Sequence, residues 1–124
     1  MLFNKKTKQE IIKVIHYEGI KEYNQDYPCN IVVNEYSFEF KRVKPEMTIT
    51  LPKDKIIKID VLKENAFMQK YHNTISTNKL KYYLVITYKK DEQEHYIAFW
   101  GTAKEAIKFD NLKYKYIQNV NYTL

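Results

Sequence analysis

Apolar side chains recur at every second position through most of this chain, and at helical spacing only after Gly101-Thr102. Period 2 marks strands with one buried face, and period 3.6 marks a helix with one buried stripe. A chain patterned this way builds a sheet first and lays a helix on it last. Residues 11–18 (IIKVIHYE) open the series, and Gly19 punctuates them. Residues 20–29 are polar, end in Tyr27-Pro28-Cys29 and read as a loop. Ile31 and Val33 then precede Asn34-Glu35, after which Tyr36, Phe38 and Phe40 alternate with Ser37, Glu39 and Lys41. The break predicts a hairpin in which Asn34 supplies the left-handed conformation of a tight turn.

Met47, Ile49 and Leu51 alternate with two threonines, and Pro52-Lys53-Asp54 signals a turn. Ile57, Ile59 and Val61 share a face opposite Lys58 and Asp60. Residues 64–79 lack a clean period and read as a long excursion. Leu80, Tyr82, Leu84, Ile86 and Tyr88 share the next face, Asp91-Glu92-Gln93 forms a tip, and Ile97 and Phe99 return opposite Tyr96, Ala98 and Trp100. That makes seven strands. Thr102 then stands three residues before Glu105, the capping-box spacing that starts a helix. The pattern predicts a helix over residues 103–119. Ala103, Ala106, Ile107, Tyr114, Ile117 and Val120 form its apolar stripe, opposite Lys104, Lys108, Asn111 and Lys115, and Ile107, Tyr114 and Ile117 are expected to be buried. The expected fold is mainly β: a strongly bent seven-stranded antiparallel sheet, a partly open barrel, capped by this C-terminal α-helix. It spans 1–124 as one domain, with residues 1–10 as an N-terminal tail.

With 124 residues, 44 % hydrophobic and 29 % charged, the chain is long enough for one core and too apolar for disorder. The 1 Cys excludes a disulfide scaffold, and 2 Gly are too few for a glycine-rich phosphate loop. The opening MLFNKKTKQE has no apolar run after its cations, which predicts the cytoplasm or the membrane periphery rather than export. Lys+Arg is 21 against 15 Asp+Glu, a net +6. Arg42 is the only arginine, so the bidentate fork that reads guanine edges is scarce.

The runs VVNEYSFEF, ITLPKDKIIKIDV and LVITYKKDEQEHYIAFWGTAKEA resemble the pleckstrin-homology-like superfold, in particular its bacterial pleckstrin-homology and GRAM-like branch. There a hairpin with an Asn-Glu turn precedes a P-x-x-x-I-x-x-I strand, and a final hairpin leads into the helix; here Asn34-Glu35 and Pro52, Ile56 and Ile59 stand at those positions. The resemblance implies a non-enzymatic module that binds a protein or peptide, binds a lipid head group, or self-associates. Phosphoinositide-binding members carry a basic motif on strands one and two. Here strand one offers only Lys13 and strand two has no basic residue.

No chemistry-bearing motif competes with that reading. His16, His72, His95 and Cys29 are scattered over different elements, so neither a metal site, a cofactor nor a nucleophile pair is expected. Two surfaces are candidates for binding. Lys41, Arg42 and Lys44, with Lys89 and Lys90, adjoin hairpin ends that the resemblance places at one open end of the barrel, where they would attract an anionic membrane surface. Phe67, Met68 and Tyr71, on the 64–79 excursion, would suit a protein partner. The alternative is a single-stranded nucleic-acid binder that stacks bases on Tyr82, Tyr83, Tyr88 and Tyr96.

Overall fold

The computed structural model describes residues 9–118. In chain order come β1 (Glu10–Glu18), β2 (Tyr27–Val33), β3 (Ser37–Arg42), β4 (Met47–Pro52), a 3-10 turn (Lys53–Lys55), β5 (Ile56–Lys63), α1 (Glu64–His72), β6 (Tyr82–Lys90), β7 (Gln93–Gly101) and α2 (Ala103–Gln118). The strands form one antiparallel sheet in the order β4-β3-β2-β1-β7-β6-β5, with no pairing of β4 to β5 to close it. The expected mainly β fold with a C-terminal helix is present.

The sheet is folded over on itself. In a flat sheet β3 and β7, three strands apart, would lie about 14 Å from each other. The rings of Phe40 on β3 and Phe99 on β7 are instead 5.1 Å apart. The fold-over runs through β1, whose residues 10–16 pair with β2 and whose residues 15–18 pair with β7, with a register shift between His16 and Glu18. Such a bulge bends and twists a strand. Gly19 follows at φ 111, and a Cβ there would stand 2.4 Å from the Tyr96 carbonyl oxygen, so only glycine lets the chain turn this close to β7.

Folding the sheet produces two apolar layers. Ile12, Ile31, Phe38, Phe40, Leu84, Ile86, Ile97, Phe99, Phe109 and Leu112 form the inner core beneath α2. Tyr83, Val85 and Ala98 lie on the opposite face of β6 and β7 and are closed over by Phe67 of α1. The β6 run Tyr83–Thr87 is therefore buried throughout, although its sequence reads as one-sided.

Several local expectations are corrected. The 64–79 excursion is a helix through His72, ended by Asn73 in the left-handed conformation (φ 52), followed by a loop to β6. Tyr27–Cys29 belong to β2 rather than to the preceding loop, and Leu80 lies outside β6 and is exposed. Neither Asn34 nor Glu35 takes a positive φ; that hairpin closes through the Asn34 amide donating to the Ser37 carbonyl at 2.9 Å. The left-handed pair is instead Asp91 (φ 53) and Glu92 (φ 66), at the β6–β7 tip. In β5 a register shift between Ile56 and Lys58 turns Ile57 outward, and Ile56 is buried in its place.

The helix after Gly101 carries the carboxylate half of the expected capping box, with the Thr102 hydroxyl donating to Glu105 rather than accepting its amide. Both the amide and the hydroxyl of Thr102 donate to Glu105 Oε1, each at 2.8 Å. Its phase is not as expected. Ala106, Phe109 and Leu112 face the core, while Ile107 is 65 % and Tyr114 62 % exposed. The Ile117 side chain, Val120 and the helix end expected at residue 119 lie outside the described residues. Among the described residues no helix is long and apolar enough to cross a membrane.

Candidate functional site

The strand register puts the β1–β2, β3–β4 and β6–β7 connections at one end of the sheet, so both expected cation groups adjoin that end. Their side chains do not converge. Arg42 is engaged by its own fold: Nε donates to the Pro45 carbonyl at 2.8 Å, Nη1 donates to the Glu22 carbonyl at 3.0 Å, and the guanidinium sits 5.2 Å over the Tyr23 ring. The Tyr23 hydroxyl in turn donates to the Phe40 carbonyl at 2.6 Å. The arginine thus ties the β1–β2 loop to the β3–β4 turn. At that turn the Lys44 carbonyl accepts a hydrogen bond from the Tyr27 hydroxyl. Lys41 lies 3.7 Å from Glu39 and Lys89 lies 3.9 Å from Glu92. Lys90 borders a cavity of about 250 Å³ between β4 and β6, lined by Ile49, Leu51 and Tyr88 and apart from the Arg42 cluster. Among the described residues no hydrogen bond or ion pair joins the two groups.

The expected partner loop is turned inward. Phe67 is fully buried, stacked on Tyr83 with ring centroids 4.1 Å apart, and Tyr71 meets Tyr96 at 4.6 Å. Met68 packs on the same cluster. Polar contacts hold α1 in place. Buried Glu64 accepts from the Ser76 hydroxyl at 2.5 Å, and Glu18 Oε2 receives both His72 Nε2 (2.7 Å) and the Tyr96 hydroxyl (2.5 Å). Burial and the Glu18 carboxylate push the Tyr96 phenol well above its ordinary value. The four tyrosines do not form an open stacking surface, because Tyr83 and Tyr96 lie on the α1 side and Tyr82 and Tyr88 on the other face. Among the described residues no three His, Cys, Asp or Glu side chains gather to hold a metal. Burial pushes the Cys29 thiol up to about 12, which keeps it protonated and unreactive.

A surface missed in the sequence lies on the outer side of β1 and β2. Ile15 pairs with Pro28 on one side and with Trp100 on the other. These three, with Val43, line a groove of about 390 Å³ whose wall is overwhelmingly apolar. Val43 is 59 % exposed there. Lys13, Asn30, Thr102 and Glu105 line the groove as well. Glu105 is held by Thr102, whose hydrogen bonds keep its carboxyl below the usual carboxylate range. Trp100 Nε1 donates to Asp26 at 2.9 Å, and the Lys81 ammonium lies 4.3 Å over its ring. Gly101 lets the first turn of α2 approach β7, since a Cβ there would meet Glu105 Cβ at 2.5 Å. The available signal was that IIKVI carries apolar residues on both parities, Ile11 and Ile15 as well as Ile12 and Val14.

No protein-family model matches this chain, and no curated protein is similar to it. The functional reading therefore rests on geometry.

Proposed function

We propose that the chain is a non-enzymatic interaction module of the pleckstrin-homology-like kind, which takes a large apolar side chain of a peptide or protein partner in the groove of Ile15, Pro28, Val43 and Trp100. One observation carries the reading: the groove is open and apolar, while the polar groups of Glu105 and Trp100 beside it are engaged within the chain. A site of this kind rewards burial of an apolar anchor. The antiparallel order and the helix after β7 support the superfold.

Trp100 is the only tryptophan, so its emission reports occupancy of the groove directly. Peptides selected from a random display library should share a large apolar residue and should shift Trp100 emission on binding. Val43→Asp should remove both binding and the shift, with circular dichroism unchanged. Peptides that bind Val43→Asp as well as the parent would exclude the groove.

A further inference from the structure

The outward face of α2 combines two features that the buried face does not need. Ile107 and Tyr114, seven residues apart and therefore on one side of the helix, are 65 % and 62 % exposed. Beside them run Lys104, Lys108 and Lys115, all exposed. Lys115 lies 3.5 Å from Glu10 in a largely solvated pair, and neither Lys104 nor Lys108 forms an ion pair among the described residues. Asp110, on the other border of the stripe, is the acid exposed on this face. Two large apolar side chains edged by a row of lysines match the layering of a lipid interface, where apolar groups enter the acyl boundary and ammonium groups meet anionic head groups.

We propose that α2 seats the protein on an anionic bilayer through Ile107 and Tyr114, with Lys104, Lys108 and Lys115 at head-group level. Anionic attraction thereby moves from the loop cations, where Arg42 is engaged, to the helix. The proposal does not depend on the groove. A lysine near such a surface multiplies partitioning about fivefold, and the attraction fades over a Debye length.

Co-sedimentation with vesicles of phosphatidylserine and phosphatidylcholine, against phosphatidylcholine alone, tests it. The parent protein should sediment with the anionic vesicles only, and binding should fall steeply from low to physiological salt. Lys104→Glu/Lys108→Glu should lose binding by more than about twentyfold, twice the fivefold factor in logarithm. Lys104→Arg/Lys108→Arg should retain it. Ile107→Ser/Tyr114→Ser should weaken it by more than about tenfold while keeping the salt dependence. All these side chains are exposed, and unchanged Trp100 emission would verify the fold of each variant. Absence of sedimentation, equal binding to neutral vesicles, or loss of binding in Lys89→Glu/Lys90→Glu but not in Lys104→Glu/Lys108→Glu would each overturn the proposal.

Discussion

At the scale of single residues, His16 shows how this fold uses a titratable group without exposing it. Its side chain is 1 % exposed, so both ring nitrogens must be satisfied from within. Nε2 accepts from the Ile20 amide at 3.1 Å, which assigns the proton to Nδ1, and that nitrogen donates to the Asn24 carbonyl at 2.9 Å. The neutral ring thereby fixes both ends of the loop after β1. Burial holds its pKa below the ordinary 6.5, more than the Asn24 bond and Glu18 raise it. From 6.5 down to the depressed folded value the unfolded chain binds more protons, so stability falls with pH across that window. We expect the urea midpoint to drop between pH 7 and pH 5, and a His16→Gln variant to lose that component of the slope. A parent midpoint that stays flat over this range would refute the assignment. The sequence offered His16 only as an isolated histidine, because its partners Ile20 and Asn24 meet it through backbone atoms that carry no residue-type signal.

At the scale of elements, the two helices mark where periodicity alone misleads. Two apolar stripes coexist in α2: Ile107 with Tyr114, and Ala106 with Phe109 and Leu112. Both have helical spacing, so pattern cannot choose between them. The choice falls to the link after β7, where the Thr102–Glu105 cap closes against Gly101 and sets the rotation of the first turn. Ile107→Asp should therefore change stability by less than about 0.5 kcal/mol, as surface substitutions do. Phe109→Ala, at a fully buried site, should cost about 3–5 kcal/mol. Chemical denaturation of the two variants checks the phase, and the reverse ranking would refute it. The period of α1 is weak because its helicity comes from docking: Phe67 on Tyr83, His72 on Glu18 and Lys70 on Asp60.

At the scale of the molecule, one bent sheet divides the apolar residues between two layers, and β1 joins its halves. The bend concentrates at the His16–Glu18 register shift and at Gly19. Gly19→Ala should destabilise by more than about 1 kcal/mol, because the new methyl group would meet the β7 backbone at a φ that L-residues avoid. A melting temperature and near-ultraviolet spectrum equal to the parent's would show that β7 can yield there. The groove follows from strand pairing, since β1 sets Ile15 between Pro28 of β2 and Trp100 of β7, and Val43 lines the same groove.

The sequence by itself determined the seven strands, the change of period at Gly101-Thr102, the cap of α2 and the inner faces of β6 and β7. These depend on contacts within a few residues or on the strict alternation of a strand. The tertiary structure alone decided which α2 stripe is buried, that residues 64–72 form a helix over the second face of the sheet, and that Arg42 is engaged by Glu22 and Pro45. It also decided that Ile15, Pro28, Val43 and Trp100 line one groove. Each of these depends on how separate elements pair and dock, which brings together residues whose separation along the chain no local pattern records.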